Sequence, residues 1–288
     1  MREEMNIQWF PGHMTKARRM IAENIKLIDA VCEVIDARIP YSSRNPDLDG
    51  MTCGKPRLLI FNRADQADSA ATKIWVNAFR AEGLAVLETD SRSGKGIAGF
   101  QSAVSALLKD KLSYYASRGQ TGRQLRLLVA GIPNVGKSSF INRVAGRKAA
   151  ETSDKPGVTR GKQWISIGSG LELLDTPGVL WPKFDDVTVA ENLAFTGAIR
   201  DQILDVERLG AGFLSRMKDM YPERITSRYK INITPEADGF SLLQQVAKNR
   251  GCLISGGEYD LERAAVILLD EFRGGKLGRM TLEGRDTL

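Results

Sequence analysis

The sequence GIPNVGKS at residues 131–138 constrains the fold of this chain more than any other feature. It matches the pattern G-x-x-x-x-G-K-[ST], it follows an apolar run typical of a buried strand (125–130), and it precedes a helical pattern (138–145). Glycines let the backbone close around phosphate groups, while the helix N-terminus faces the anion. The chain is therefore expected to bind a nucleoside triphosphate on a strand–loop–helix unit.

Apolar, β-branched-rich runs alternate with helical patterns up to about residue 182. This alternation predicts an α/β fold with a mostly parallel sheet and helices on both faces. The candidate strands are residues 30–35, 58–61, 84–87, 125–130, 164–167 and 171–174. Beyond Pro182 the patterns are helical only, at residues 188–198, 206–217, 240–249 and 261–272. We therefore expect an N-terminal arm and helix packed on the first domain (1–28), the α/β domain itself (29–182) and a smaller all-helical domain (183–288).

Composition restricts the class of protein. With 42% hydrophobic and 26% charged residues the chain is neither disordered nor fibrous. Cys32, Cys53 and Cys252 lack metal-ligand spacing, which disfavours a disulfide framework and favours a reducing compartment. The N-terminus has no apolar core of a secretory signal, and no run approaches the roughly 18–20 apolar residues of a spanning helix. We expect a cytoplasmic protein without a membrane span.

The net charge of +6 lies outside the last third of the chain. Residues 92–126 and 137–162 are rich in Lys and Arg, whereas residues 200–288 contain as many acidic as basic side chains. Such clustering favours a polyphosphate or nucleic-acid partner. A solvated surface that keeps the protein soluble explains the charge equally well.

A second phosphate-linked motif, DTPG at residues 175–178, ends an apolar strand. Its Asp is placed to hold Mg²⁺, through a water molecule, and its Gly lets a backbone N–H approach the γ-phosphate. A turn-rich loop at residues 155–159 offers the Thr159 hydroxyl to the metal, with an ordinary turn threonine as the alternative. The expected phosphate-binding residues are Asn134, Val135, Gly136, Lys137, Ser138, Ser139 and Gly178. The expected Mg²⁺ ligands are Ser138, Thr159 and Asp175.

The sequence NRAD at residues 62–65 follows another strand and resembles the N-K-x-D signature of GTPases, whose Asp accepts hydrogen bonds from guanine. Arg63 replaces the usual lysine, and its flat guanidinium can also stack on a ring. The loop at residues 88–94 is a looser match to the loop that contacts the guanine oxygen. The expected guanine-binding residues are Asn62, Arg63, Asp65, Asp90 and Ser91.

These base motifs precede the phosphate loop, the reverse of the order in ordinary GTPases. A domain whose termini lie close together can be rejoined elsewhere without losing its core. The order resembles the circularly permuted GTPases and, within them, the bacterial ribosome biogenesis GTPases. Four further motifs carry this resemblance, namely WFPGHM (9–14), DARIP (36–40), WPK (181–183) and YPER (221–224).

The resemblance spans essentially the whole chain. It implies a circularly permuted P-loop GTPase domain followed by an RNA-contacting helical domain. It also implies a GTP hydrolase of late large-subunit (50S) assembly that binds the pre-ribosomal particle and its rRNA in the GTP state. Such a factor leaves after hydrolysis to GDP and is expected to be a monomer when free.

Two catalytic expectations come from the resemblance alone. Val179 stands where other GTPases have a water-orienting Gln, and His13 of the PGHM motif is expected to orient the water instead. A structural role that pins the N-terminal arm is the alternative for this histidine. Asn134 is expected to help hold a K⁺ ion near the transferred phosphate, or else merely to shape the turn.

Other functions stay open. The apolar Val179 makes a GTP-gated RNA-binding scaffold with little hydrolysis conceivable. A GTP-dependent RNA-modification factor would need a second active site, and no Cys/His or paired-carboxylate pattern indicates one. An organelle form of the same factor is disfavoured because no Arg/Ser-rich transit segment precedes Trp9.

Overall fold

The computed structural model describes residues 7, 9–120, 122–146, 163–168 and 170–284. Within these ranges six strands form one sheet, in the spatial order β3-β2-β1-β4-β6-β5. The strands are β1 Ala30–Asp36, β2 Arg57–Asn62, β3 Ala85–Glu88, β4 Leu125–Ala130, β5 Gln163–Ile167 and β6 Leu171–Asp175. All neighbouring pairs are parallel except β5 and β6. These two strands are antiparallel because a short turn can join only antiparallel strands. The predicted mostly parallel sheet is confirmed.

Helices cover both faces of this sheet. They are α1 Gly12–Asn24, α2 Asp47–Thr52, α3 Ser69–Ala81, α4 Phe100–Leu107, α5 Lys109–Ser117 and α6 Lys137–Ala145. Alternate β2 residues point to opposite faces, so that Phe61 shares a core with Trp75 of α3, whereas Ile60 shares another with Phe100 of α4. The apolar spacing at residues 99–112 predicts one helix, but Leu108 leaves helical geometry between α4 and α5.

Beyond β6 the regular secondary structure of the described chain is helical, apart from one isolated bridge between Leu253 and Tyr259. The helices are α7 Val187–Phe195, α8 Val206–Met220, α9 Pro222–Tyr229, α10 Gly239–Arg250 and α11 Leu261–Arg273. The predicted helical C-terminal region is confirmed, with α9 as an addition. One apolar core runs from the sheet into these helices, so the three domain boundaries stay a prediction. In the described ranges no helix has the length and apolarity to cross a bilayer.

The DARIP motif joins the sheet to the helical region. Asp36, at the end of β1, forms a 2.7 Å ion pair with Arg38, and both side chains are buried. Arg38 also donates to the Phe272 carbonyl at 3.1 Å, and its guanidinium lies 4.8 Å from the Phe272 ring centroid. The buried charge therefore anchors the last turn of α11 to the sheet.

A buried carboxylate in α11 makes the stability of the helical region depend on pH. Glu271 accepts hydrogen bonds from Arg228, Tyr229 and Arg250. The hydrogen bonds from Arg228 hold the pKa of Glu271 below its ordinary value of 4.5, although burial opposes this. Since the folded pKa lies below the unfolded one, the stabilisation is complete above pH 4.5 and is lost as the pH falls through the folded value.

We expect Glu271→Gln to lower the free energy of unfolding by about 1.5–3 kcal/mol at neutral pH, because charge-assisted hydrogen bonds are lost. The difference in the free energy of unfolding between variant and wild type should become smaller at acidic pH. Urea unfolding of both proteins at neutral and acidic pH measures it, with Glu262→Gln, at an exposed position of the same helix, as the control. A deficit that does not change with pH would contradict this account.

Candidate nucleotide-binding site

The nucleotide motifs meet at one edge of the sheet. The parallel strands β1, β2, β3, β4 and β6 have their carboxyl ends on the same side, so the loops that follow them face one another. A cavity of about 1170 Å³ opens between these loops. Among the residues predicted from sequence, its lining includes Asn62, Arg63, Asp65, Asp90, Ser91, Asn134, Gly136 and Ser139. The structure brings the base and phosphate loops together despite their reversed order in the chain.

The phosphate loop turns from β4 into α6. Gly136 has a φ of +91°, and a Cβ atom there would lie 2.4 Å from the Asn62 amide nitrogen, so the turn requires glycine. The buried Lys137 ammonium donates to the carbonyls of Gly131 at 3.2 Å and Ile132 at 2.8 Å. Burial lowers the pKa of Lys137 to about 8, although the Asp175 charge opposes the shift. The ammonium and the α6 N-terminus together form a site suited to phosphate oxygens.

Asp175 ends β6 beside this loop and is fully buried. Neither of its carboxylate oxygens has a hydrogen-bond partner among the described residues. Burial raises the pKa of Asp175 to about 6, while the charge of Lys137 lowers it. An unpaired buried carboxylate is costly, and a hard divalent cation would offset that cost. The unpartnered Asp175 carboxylate therefore fits Mg²⁺. Ser138, another predicted ligand, follows Lys137 in the first turn of α6, whereas Thr159, the third, lies outside the described residues.

The DTPG loop lies directly against the phosphate loop. A Cβ atom on Gly178 would lie 2.6 Å from the backbone nitrogen of Pro133, so this approach also requires glycine. The backbone N–H of Val179 donates to the Gly131 carbonyl at 3.2 Å. The Val179 side chain is buried and apolar and can offer no hydrogen bond to a water.

Asn62 joins the base loops to the phosphate loop. Its Nδ2 donates to the Val135 carbonyl at 2.7 Å. Its Oδ1 accepts from the Ser91 backbone N–H at 3.1 Å and from the Ser91 hydroxyl at 2.7 Å. One amide side chain thus bridges three loops, which sets the distance between the base and phosphate ends of the cavity.

The loop at residues 88–94 is held by hydrogen bonds from its backbone N–H groups to side chains. The Ser91 backbone N–H donates to Asn62 Oδ1 at 3.1 Å. The next N–H, that of Arg92, donates to Asp90 Oδ1 at 2.8 Å. Asp90 therefore organises the turn, even though it also lines the cavity.

The opposite wall of the cavity consists of residues from the helical region, none of which was predicted to belong to the site. Arg63, at a φ of +59°, donates to the carbonyls of Arg273 at 3.1 Å and Asn134 at 2.9 Å. Arg273 in turn pairs with Asp201 at 2.7 Å. Residues 196–197, 199–202, 270 and 273–274 line this wall. No local pattern identifies them, because their position depends on how the helices pack.

Asn134 lies where the two walls meet, at a φ of +60°. Its Nδ2 donates to the Gly197 carbonyl at 2.6 Å. A side-chain amide and a main-chain carbonyl are hard oxygen donors of the kind that alkali cations use. The arrangement is compatible with the predicted K⁺ ligand and equally with a residue that shapes the turn.

His13 occupies the first turn of α1, outside the lining of the cavity. Its Nε2 is buried without a hydrogen-bond partner among the described residues, and its ring meets Trp9 edge-on at 6.1 Å between centroids. Burial lowers the pKa of His13 below 6.5, and the charge of Arg200 lowers it further. The imidazole is therefore neutral at pH 7 and able to accept a hydrogen bond.

Comparison with known proteins agrees with this geometry. Residues 126–222 match the family model of the 50S ribosome-binding GTPases. The chain is 47% identical over 279 residues to ribosome biogenesis GTPase A of Bacillus cereus, covering 97% of this chain and 94% of that relative. It also resembles the GDP-bound structure of TM YlqF, with a TM-score of 0.68, 27% identity and coverage of 93% and 100% of the two chains. For GNP-bound YlqF from T. maritima the TM-score is 0.65, at 28% identity and 93% and 98% coverage. The chain is a GTP hydrolase and belongs to the ribosome biogenesis GTPase A family.

Proposed function

We propose that this GTPase acts in late assembly of the large ribosomal subunit in the cytoplasm, as a monomer when free. It binds the precursor particle and its rRNA in the GTP state and leaves after hydrolysis. The observation that carries the nucleotide part is the Asn62 bridge, which joins the phosphate loop to the base loops in one cavity. The ribosomal part is supported by the name of the matching family model and of the Bacillus cereus relative.

Different residues of the chain bind the base, the phosphates and the metal ions, and orient the attacking water. Asp65 accepts from the guanine edge, while Lys137 and the amides at the start of α6 bind the phosphates. Ser138, Thr159 and, through water, Asp175 would hold Mg²⁺, which would neutralise charge on the β- and γ-phosphates. Asn134 contributes to a K⁺ site, and His13 orients the attacking water in place of the apolar Val179.

Sensing of the γ-phosphate follows from the contact between the DTPG and phosphate loops. Gly178 packs on Pro133, so a phosphate that binds the backbone N–H of Gly178 also fixes this loop. Loss of the γ-phosphate releases it, together with the loop that carries Thr159. Partner affinity is expected to change with that release.

Single-turnover hydrolysis with and without ribosomal subunits tests the switch against a scaffold with little hydrolysis. Sedimentation of the purified protein with subunits tests partner binding. We expect co-sedimentation with the large subunit in a non-hydrolysable GTP analogue and release in GDP. Equal binding with both nucleotides would contradict the switch.

Binding should also fall steeply with salt, because each neutralised phosphate releases condensed counterions. The exposed Lys16 and Arg19 of α1 are the best probes. Arg19 pairs with Glu23 of its own helix at 2.8 Å, but both side chains are exposed, whereas the partly buried Arg18 is held by Asp47 at 2.6 Å. We expect Lys16→Glu with Arg19→Glu to weaken particle binding and to flatten its salt dependence, with GTP affinity unchanged.

The matched control is Lys73→Glu with Arg80→Glu, two exposed charges of α3. It should leave binding near wild type. Salt-independent binding that neither pair of variants alters would indicate a protein-only docking surface.

A further inference from the structure

The C-terminal segment at residues 279–283, here the C-terminal clamp, contacts the loop that carries the guanine motif. Arg279 Nε donates to the Asp65 carbonyl at 3.1 Å, across 214 positions of sequence. The next N–H, that of Met280, donates to the Gln66 carbonyl at 2.9 Å. The clamp therefore fixes two consecutive peptide groups on the C-terminal side of the motif.

The N-terminal side of the same loop is held by the α/β fold itself. The Ala64 N–H donates to the Thr89 carbonyl at 3.2 Å, and the Gln66 N–H donates to the Arg63 carbonyl at 2.9 Å. The residue before Asp65 is thus held by the α/β domain, whereas the peptide groups after it are held by the clamp. The backbone orientation of Asp65 depends on both.

The clamp is also tied to the helical region. Thr281 accepts from the Asp68 N–H at 3.0 Å through its hydroxyl, just before α3. Its backbone N–H donates to the Tyr221 hydroxyl at 3.0 Å, and its carbonyl accepts from that hydroxyl at 3.1 Å. Tyr221 lies between α8 and α9, so the clamp links these helices to the guanine loop.

The far end of the clamp is anchored in the sheet domain. The buried Glu283 carboxylate accepts from the backbone N–H groups of Tyr41 at 2.6 Å and Ser42 at 2.9 Å. The Trp75 indole N–H donates to the Glu283 carbonyl at 3.1 Å. An anchor of this kind helps to hold Arg279 and Met280 against the loop.

A carboxylate that must meet two donors on the guanine edge binds best when its backbone is already ordered, because ordering a loop at binding costs affinity. We propose that the C-terminal clamp positions Asp65 for guanine and thereby slows the release of GDP and GTP. Arg279 and Thr281 are then positioning residues that act through the loop. The inference rests on the proposed placement of guanine at Asp65.

Dissociation of fluorescently labelled GDP from the full-length protein, followed by stopped flow, tests the proposal. Arg279→Ala should release GDP roughly two- to tenfold faster, the range that one hydrogen bond is worth. Thr281→Val should act in the same direction. Lys276→Ala is the matched control, since it removes one charge from an exposed position next to the clamp, and it should release GDP as wild type does.

Thermal unfolding of each variant separates positioning from simple destabilisation, and Asp65→Asn separates the clamp from the base site. Wild-type release rates in both clamp variants, with or without a lower melting temperature, would overturn the proposal. If Asp65→Asn alone speeds release, the base site stands and the clamp fails. If Asp65→Asn leaves release unchanged, the assignment of guanine to Asp65 fails, and faster release in the clamp variants would then have another cause.

Discussion

His13→Ala is expected to lower GTP turnover on the ribosomal particle by about 10²–10⁴-fold, the usual cost of removing one positioned catalytic group. GTP affinity should stay nearly unchanged, because the histidine lies outside the cavity that the base and phosphate loops line. Its buried Nε2 without a partner among the described residues is the atom proposed to accept from the water. Single-turnover hydrolysis with subunits measures the effect.

The pH dependence supplies a second readout for His13. Its pKa lies below 6.5 through burial and the nearby Arg200 charge, so the neutral, accepting form is present at pH 7 and is lost as the pH falls through that lowered value. Turnover should decline in acid accordingly. Thr15→Ala, at an exposed and uncharged position of α1, is the control. Equal stimulated rates for His13→Ala and wild type would leave only the structural role.

Lys137→Ala should abolish nucleotide binding itself, whereas His13→Ala should lower only turnover. The ammonium is buried against the phosphate loop, where it balances the phosphate charge. A variant that binds GTP normally would contradict the position of the phosphates. The pair of variants therefore separates binding from catalysis.

Asp65→Asn is expected to exchange nucleotide preference, with GTP weakened and xanthosine triphosphate strengthened. The carboxylate accepts from two guanine donors, whereas an amide can donate to the keto group that xanthine carries instead. A buried mismatch of this kind costs about 1–3 kcal/mol, or more when a charge is involved. Competition between GTP and xanthosine triphosphate for each protein measures the exchange.

Asp110→Asn, an exposed carboxylate in α5 outside the cavity lining, is a suitable control for the change in charge. It should leave the preference for GTP intact. If Asp65→Asn binds GTP as wild type does and xanthosine triphosphate no better, residues 62–65 do not form the base site.

The features that adjacent residues encode could be predicted from the sequence alone. The phosphate loop is one such feature, because its glycines and its flanking strand and helix are all encoded in one short stretch of sequence. The mostly parallel sheet is another, because the fully buried strands β1 and β2 are predominantly apolar, as in LLIF at residues 58–61. The guanine motif likewise follows its strand directly.

Other features depended on packing between distant segments. The helical wall of the cavity arises because α11 ends beside Arg63, through bonds that span 210 positions. The role of the DARIP motif as an anchor for α11 depends on the contact between Arg38 and the last turn of that helix. The interruption at Leu108 has no glycine or proline to mark it.

The physical reason is the range of the interactions. A positive φ, a loop that binds phosphate or a buried strand is selected by local sterics and by side chains a few residues apart. Contacts such as Asn134 with Gly197 or Arg279 with Asp65 need both partners to be delivered by separately folded elements. Local sequence is enough to specify the chemistry of the nucleotide loops, whereas packing between distant elements specifies which residues enclose them.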